Sequence, residues 1–197
     1  MSLGARLTNS QFTNGYETIS YGRGTWLLHM LRGIMQDADA KSRHHSAAHS
    51  EAVWDEPFTR ALHHLRDNFA GKPITTADLI HALEQELPPS QRFEGRKSLA
   101  WFVENWIHGT AIPNIAVKDV KISEKAGVTS VTCKIEQKDA PETLVTSIPV
   151  YGMLGRQAIY LGRVFADGTE TIAHLQGPPG IRKIALDVNH SVLTSNH

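Results

Sequence analysis

Apolar residues recur along this chain with two different periods, one after the other. From Gly22 to Met35, Trp26, Leu27, Met30, Leu31 and Ile34 fall three and four positions apart, which predicts a helix with a wide buried face. A second helix is expected from Asp55, which can cap it, through Pro57 in its first turn, to a stop at Gly71. Its stripe would be Phe58, Ala61, Leu62, Leu65 and Phe69. Thr75 followed three residues later by Asp78 has the form of a capping box, opening a third helix with Leu79, Leu83 and Leu87 inward before Pro88-Pro89. Ser98 then caps a fourth, in which Leu99, Phe102, Val103, Trp106 and Ile107 share a face and Gly109 stands at the C-terminal end.

After Pro113 the period changes from 3.6 to 2. Val131, Cys133 and Ile135 alternate with Thr132, Lys134 and Glu136, and Leu144, Thr146, Ile148 and Val150 form a second alternating set, each the mark of a half-buried strand. Further strand-like runs lie near 115–123, 156–165, 170–175 and 181–187. Ala126-Gly127, Asp167-Gly168 and Gly177-Pro178-Pro179-Gly180 separate them. Short strands at this spacing predict a β-sandwich. The fold class expected is therefore α+β, with a helical part at 1–112, an antiparallel β-sandwich at 113–197, and the boundary at Ile112-Pro113, where proline disfavours helix in the residue before it. Two polar stretches without a period are expected to lack regular structure: Gly4 to about Ser20 as extended loop, and Gln36 to Trp54 as a connection.

Composition narrows the classes of function. Twenty basic and twenty acidic residues cancel, with no basic run or acidic tail, so neither nucleic acid nor an anionic membrane is an expected partner. No apolar run approaches the ~20 residues of a membrane helix, and the N-terminus lacks the charged-then-apolar order of a signal peptide. The one cysteine excludes an internal disulfide and a multi-cysteine zinc site, and it fits reducing and oxidising compartments equally, so localisation stays open. Met1-Ser2-Leu3 placed directly before loop-like sequence suggests a piece of a longer parent protein, with an authentic start as the alternative.

Eleven histidines raise the question of a metal. His45 and His49 are four apart and would share one helical face, but the surrounding Arg43–Glu51 offers no apolar side to fix that helix, and metal ligands need a rigid second shell. A solvated loop is the expectation there. His29, His63 and His64 fall on or beside the polar faces of their helices, and His81, His108 and His174 have no evident companions. Cys133 alternates with Val131 and Ile135 and reads as a small buried hydrophobe, not a nucleophile. The chain contains no His-Glu-x-x-His, P-loop, nucleophile elbow or dinucleotide fingerprint.

A resemblance supplies what these motifs do not. Ile19-Ser20-Tyr21-Gly22-Arg23-Gly24-Thr25-Trp26-Leu27-Leu28-His29-Met30-Leu31-Arg32 resembles the Tyr-x-Lys-Gly segment and following helix of the aminopeptidase N-like zinc metallopeptidases. Gly4-Ala5-Arg6-Leu7 is similar to the loop before it. Ser98 to Pro113 is similar to that family's Leu-Asp-Trp-Phe-Phe-x-Gln-Trp helix ending in Gly-Thr-Gly-x-Pro, and Leu186-Asp187-Val188-Asn189 to its closing Leu-Asp-Pro-Asn. Arg23 stands where lysine is usual, Ala100 where aspartate is common and Val188 where proline is common.

The resemblance implies that 1–112 is the helical part of a thermolysin-like catalytic domain whose His-Glu-x-x-His helix and zinc-binding glutamate lie upstream. It implies zinc and a peptide substrate in the parent, with no cofactor in this chain, and a missing N-terminal part of the catalytic domain as a partner. It also implies a catalytic role for Tyr21, matching the tyrosine that hydrogen-bonds the oxyanion formed during peptide hydrolysis. A phenol near pKa 10 is protonated at neutral pH and can donate, and loss of one such donor costs on the order of 10²–10³ in rate. The plainer reading of Tyr21 is an amphipathic residue packing at a helix start. Two further alternatives are a parent that has lost zinc chemistry and serves as an interaction or scaffold module, and a stand-alone α+β binding protein. A piece cut from a larger domain should carry an exposed apolar patch, which dimerisation would cover.

Overall fold

In the computed structural model the residues described are 14, 15, 17–43 and 56–196. The expected loop over Gly4–Thr13 and the His44, His45 and His49 cluster lie outside them, as does the Asp55 cap. The chain divides into two compact units: residues up to Met30 together with Phe102 onward, and Leu31–Trp101. The class is α+β, with four α-helices and two antiparallel sheets among the described residues.

In the unit spanning Leu31–Trp101, the helical pattern begun upstream continues. Helix α1 (Gly24–Arg43) extends to Arg43, into the first part of the Gln36–Trp54 stretch expected to be an unstructured connection. One cause is on its own face: Arg32 Nε and Gln36 Nε2 both donate to the buried carboxylate of Glu56, at 3.0 and 2.6 Å, and Thr59 Oγ1 adds a third bond at 3.1 Å. These bonds turn a polar stretch into a held one, since a buried carboxylate needs its partners. Helix α2 (Pro57–Phe69) starts with proline in its first turn, where the missing N–H costs nothing, and buries Phe58, Ala61 and Leu65. Leu62, expected in that stripe, is exposed. Helix α3 (Thr76–Gln85) opens on the predicted capping box, with Thr75 and Asp78 bonding each other's backbone amides. Ile80, Ala82 and Leu83 form its buried side, with Leu79 only half-buried, and Leu87 is buried just after its C-terminal end. Glu84 reaches forward to the Ser98 hydroxyl and the Leu99 amide, fixing the approach to the next helix.

In the other unit, the chain enters through a π-helical turn, Glu17–Arg23, where extended loop was expected as far as Ser20. The fourth helix, α4 (Ala100–Phe102), has its Ala100 amide capped by Ser98 Oγ and continues as a π-helical segment, Val103–His108. Phe102 and Trp106 are both fully buried and stack at 6.5 Å. Gly109 has φ −72°, so its role is not a left-handed cap. A Cβ at that position would run into the Asn105 carbonyl, and only glycine lets the chain leave the segment so closely.

Six strands follow: β1 (Asn114–Lys125), β2 (Val128–Lys138), β3 (Val145–Leu154), β4 (Gln157–Asp167), β5 (Glu170–Gly177) and β6 (Lys183–Leu186). They make two three-stranded antiparallel sheets, ordered β1-β2-β5 and β4-β3-β6. Ala126 and Gly127, both at positive φ, close the β1–β2 hairpin, the geometry a two-residue turn needs to match strand twist. Val131, Cys133 and Ile135 point inward as their alternation predicted, and Val131 joins Leu161 and Ile181 in a core supported by Ile122, Ile159, Leu175 and Ile184. Residues from both sheets therefore share one apolar interior, which is the sandwich arrangement.

Strand β3 departs from expectation. Instead of alternating, it is buried from Val145 to Gly152, as a central strand covered on both faces is. Its polar residues are satisfied internally. Thr146 Oγ1 donates to Gln137 Oε1 at 2.6 Å, and Gln137 Nε2 donates to the Leu144 carbonyl at 2.8 Å, so β2 and the start of β3 are stitched together in the interior.

Candidate functional site

Tyr21 occupies the π-helical turn Glu17–Arg23, and two-thirds of its surface (66%) is exposed. Turns of this wide kind are uncommon and recur at functional positions. Of the turn's side chains that are described, Glu17, Thr18 and Tyr21 are exposed and Arg23 is half-buried. The Arg23 guanidinium donates through Nη2 to the Trp106 carbonyl at 3.1 Å and to the Gly109 carbonyl at 2.8 Å. Those carbonyls sit at the C-terminal end of the Val103–His108 segment, where backbone oxygens lack helical partners and a cation is favoured. Burial draws the Arg23 pKa below the ordinary arginine value, yet an arginine is cationic throughout the physiological range. The stretches 19–32 and 98–113, singled out independently in the sequence, thus meet at this contact.

Just beyond Tyr21, Trp26 and His29 contact edge to face with centroids 5.8 Å apart, and His29 Nε2 lies 3.2 Å from the His190 carbonyl. That carbonyl belongs to the loop after β6, which Asp187 organises. The buried Asp187 carboxylate accepts from the Ser191 amide, the Ser191 hydroxyl and the Val192 amide, all within 2.8 Å. Arg163 reinforces the loop through Ser191 Oγ at 3.2 Å and holds the Ser147 carbonyl of β3 at 2.8 Å. The Leu186-Asp187-Val188-Asn189 stretch is therefore a built turn, and Val188, the position where proline is common, is exposed.

The described histidines are not gathered into one cluster. His29, His64, His81, His108 and His174 are exposed and His63 half-buried. His108, expected to lack an acidic companion, has Glu104 one helical turn back at 3.7 Å, and His64 faces Glu86 at 3.3 Å. Among the described residues no group of three or more His, Cys, Asp or Glu side chains could hold a metal ion. Cys133 is buried at 1% exposure, and burial pushes its thiol pKa up, the opposite of an activated nucleophile.

Two concavities lie elsewhere. One, of about 440 Å³, lies between α2 and α3, lined by Leu65, Phe69, Ala82, His64 and His81 among others. The second, of about 290 Å³, is bounded by Ile115, Ile148, Leu186 and Val192. Tyr21 lines neither. What sequence reasoning missed was the partner of Arg23. Its acceptors are backbone carbonyls, and backbone acceptors carry no signature in residue type. No helix among the described residues is long and apolar enough to cross a membrane.

Compared with known proteins, the chain matches no family model, and no curated protein matches it.

Proposed function

We propose that this chain is the C-terminal part of an aminopeptidase N-like zinc peptidase, in which Tyr21 donates a hydrogen bond to the oxyanion formed as a peptide bond is attacked. The observation that carries the reading is the presentation of Tyr21: the residue is 66% exposed, on a turn whose Arg23 is fastened to the Gly109 end of the segment that buries Trp106. A hydrogen-bond donor is catalytically useful when it is accessible to a ligand and fixed before the ligand arrives. Zinc, supplied with its ligands by polypeptide other than the described residues, would provide the activated water in such an enzyme. This chain's contribution is the phenol as a hydrogen-bond donor, together with the scaffold that holds it.

The decisive experiment is Tyr21→Phe in a polypeptide that joins this chain to a zinc-binding portion. The variant keeps the ring and removes the donor, so kcat for peptide hydrolysis should fall on the order of 10²–10³ with the fold intact. Unchanged turnover would remove Tyr21 from the mechanism and leave the interaction-module reading in its place. The chain by itself is expected to show neither peptidase activity nor tight zinc binding, and calorimetric titration finding one tight zinc per chain would contradict this.

A further inference from the structure

We infer that Arg23 is a positioning residue for Tyr21, acting through the carbonyls of Trp106 and Gly109; this rests on the reading of Tyr21 just given. Three observations converge on it. First, the bond is forked: one terminal nitrogen, Nη2, serves both oxygens, at 3.1 and 2.8 Å. A single guanidinium arm with two hydrogens in fixed directions specifies its orientation as well as its distance. Second, the acceptors are themselves immobile. Trp106 is fully buried, stacks on Phe102, and donates its indole N–H to the Val145 carbonyl of β3 at 2.9 Å. Gly109 is confined by its approach to the Asn105 backbone. Through Trp106 the clasp therefore ties the turn to the strand framework.

Third, among the described side chains of the turn Arg23 is half-buried, whereas Glu17, Thr18 and Tyr21 are exposed. A Cβ added at Gly22 would meet nothing within 4 Å. The backbone on which Tyr21 sits is thus held from its C-terminal side, by Arg23 and the buried start of α1 at Gly24 and Leu27. The phenol is two residues from the clasp. Misplacing a catalytic group by about 1 Å can cost 10²-fold in rate, so loosening the turn should reach the chemistry without touching the substrate.

The test is a mutant cycle in the polypeptide that joins this chain to a zinc-binding portion, reading kcat and KM separately. Arg23→Ala should lower kcat about 10–100-fold with KM unchanged, because the donor it positions acts on the transition state. In a Tyr21→Phe background the same substitution should cause no further fall. Arg23→Lys, which keeps the cation at the carbonyl end, should restore kcat to within a few-fold. Amide exchange on the chain itself supplies the control: Arg23→Ala should speed exchange across residues 17–23 and leave β2 and β3 protected.

An undiminished kcat, a fall that persists in the Tyr21→Phe background, or loss of protection throughout the sheets would each overturn the proposal, the last two by making Arg23 merely structural. If Tyr21→Phe alone turns over normally, the reading of Tyr21 itself fails, which is a different result from Arg23→Ala failing while Tyr21→Phe is impaired.

Discussion

The indole nitrogen of Trp106 donates to the carbonyl of Val145 across 2.9 Å of buried space, joining the last helix to the first residue of β3. The bond spans the point at which the chain changes from helical to strand periodicity, so neither element is finished without the other. Trp106→Phe keeps an aromatic ring against Phe102 but removes the donor and part of the volume. We expect a loss of about 2–4 kcal/mol, combining an unpaired buried carbonyl with incomplete filling. Urea unfolding followed by circular dichroism measures it, and a loss under about 1 kcal/mol would show that the carbonyl finds another partner.

A hydroxyl without a use makes the opposite prediction. Thr129, at the start of β2, is fully buried, and its Oγ1 has no hydrogen-bond partner among the described residues. Valine has the same shape and no polar atom to leave unsatisfied, so Thr129→Val should leave stability unchanged or raise it by about 1 kcal/mol. A clear fall in melting temperature would contradict this.

Packing of β3 against the β5–β6 connection is tight enough to be tested by one methyl. A Cβ at Gly152 would lie 2.6 Å from Ile181 Cδ1 and 2.9 Å from its Cγ2. Gly152→Ala should therefore cost about 1–3 kcal/mol by overpacking. Ile181→Val alone should cost about 0.5–1.5 kcal/mol. Because valine lacks the closest atom, the alanine should cost measurably less in the Ile181→Val background, and strict additivity of the two free energies would argue against the contact.

The capping box of α3 gives a pH dependence. Asp78 accepts from the Thr75 hydroxyl at 2.6 Å and from the Thr75 amide at 2.8 Å, and these bonds hold its carboxyl below the usual carboxylate range. A folded-state pKa below the unfolded one means that this stabilisation is complete above about pH 4 and is lost as pH falls through the folded value. Thr75→Ala should cost about 1 kcal/mol at neutral pH. Its stability should also decline less steeply than wild type below about pH 4, which unfolding curves between pH 2 and 7 would reveal.

How much of this was legible in advance follows from where the information lies. Thr75 and Asp78 declared their cap because both partners are side chains three residues apart. Val131, Cys133 and Ile135 declared an inward face because strand geometry alone fixes alternation. Helix α1 was underestimated beyond Gln36, where the sequence carries no apolar period, and Gln36 itself bonds Glu56, twenty residues further on, a carboxylate that no local pattern announces. Strand β3 looked half-buried because Leu144, Thr146, Ile148 and Val150 alternate, and its full burial is made tolerable by Gln137 and Arg163, from other strands, which bond Thr146 and Ser147.

For the candidate site the division is the same. The sequence by itself determined which periods would build helix and strand, and it supplied a phenol at Tyr21, given a role only through a family resemblance, and a cation at Arg23, because those properties are local to a side chain or a few neighbours. Only the tertiary structure decided that the phenol stands exposed and that the cation 86 residues before Gly109 closes on its carbonyl. A carbonyl is the same at every residue, so which one is left unpaired and within reach is settled by packing and not by the letters of the chain.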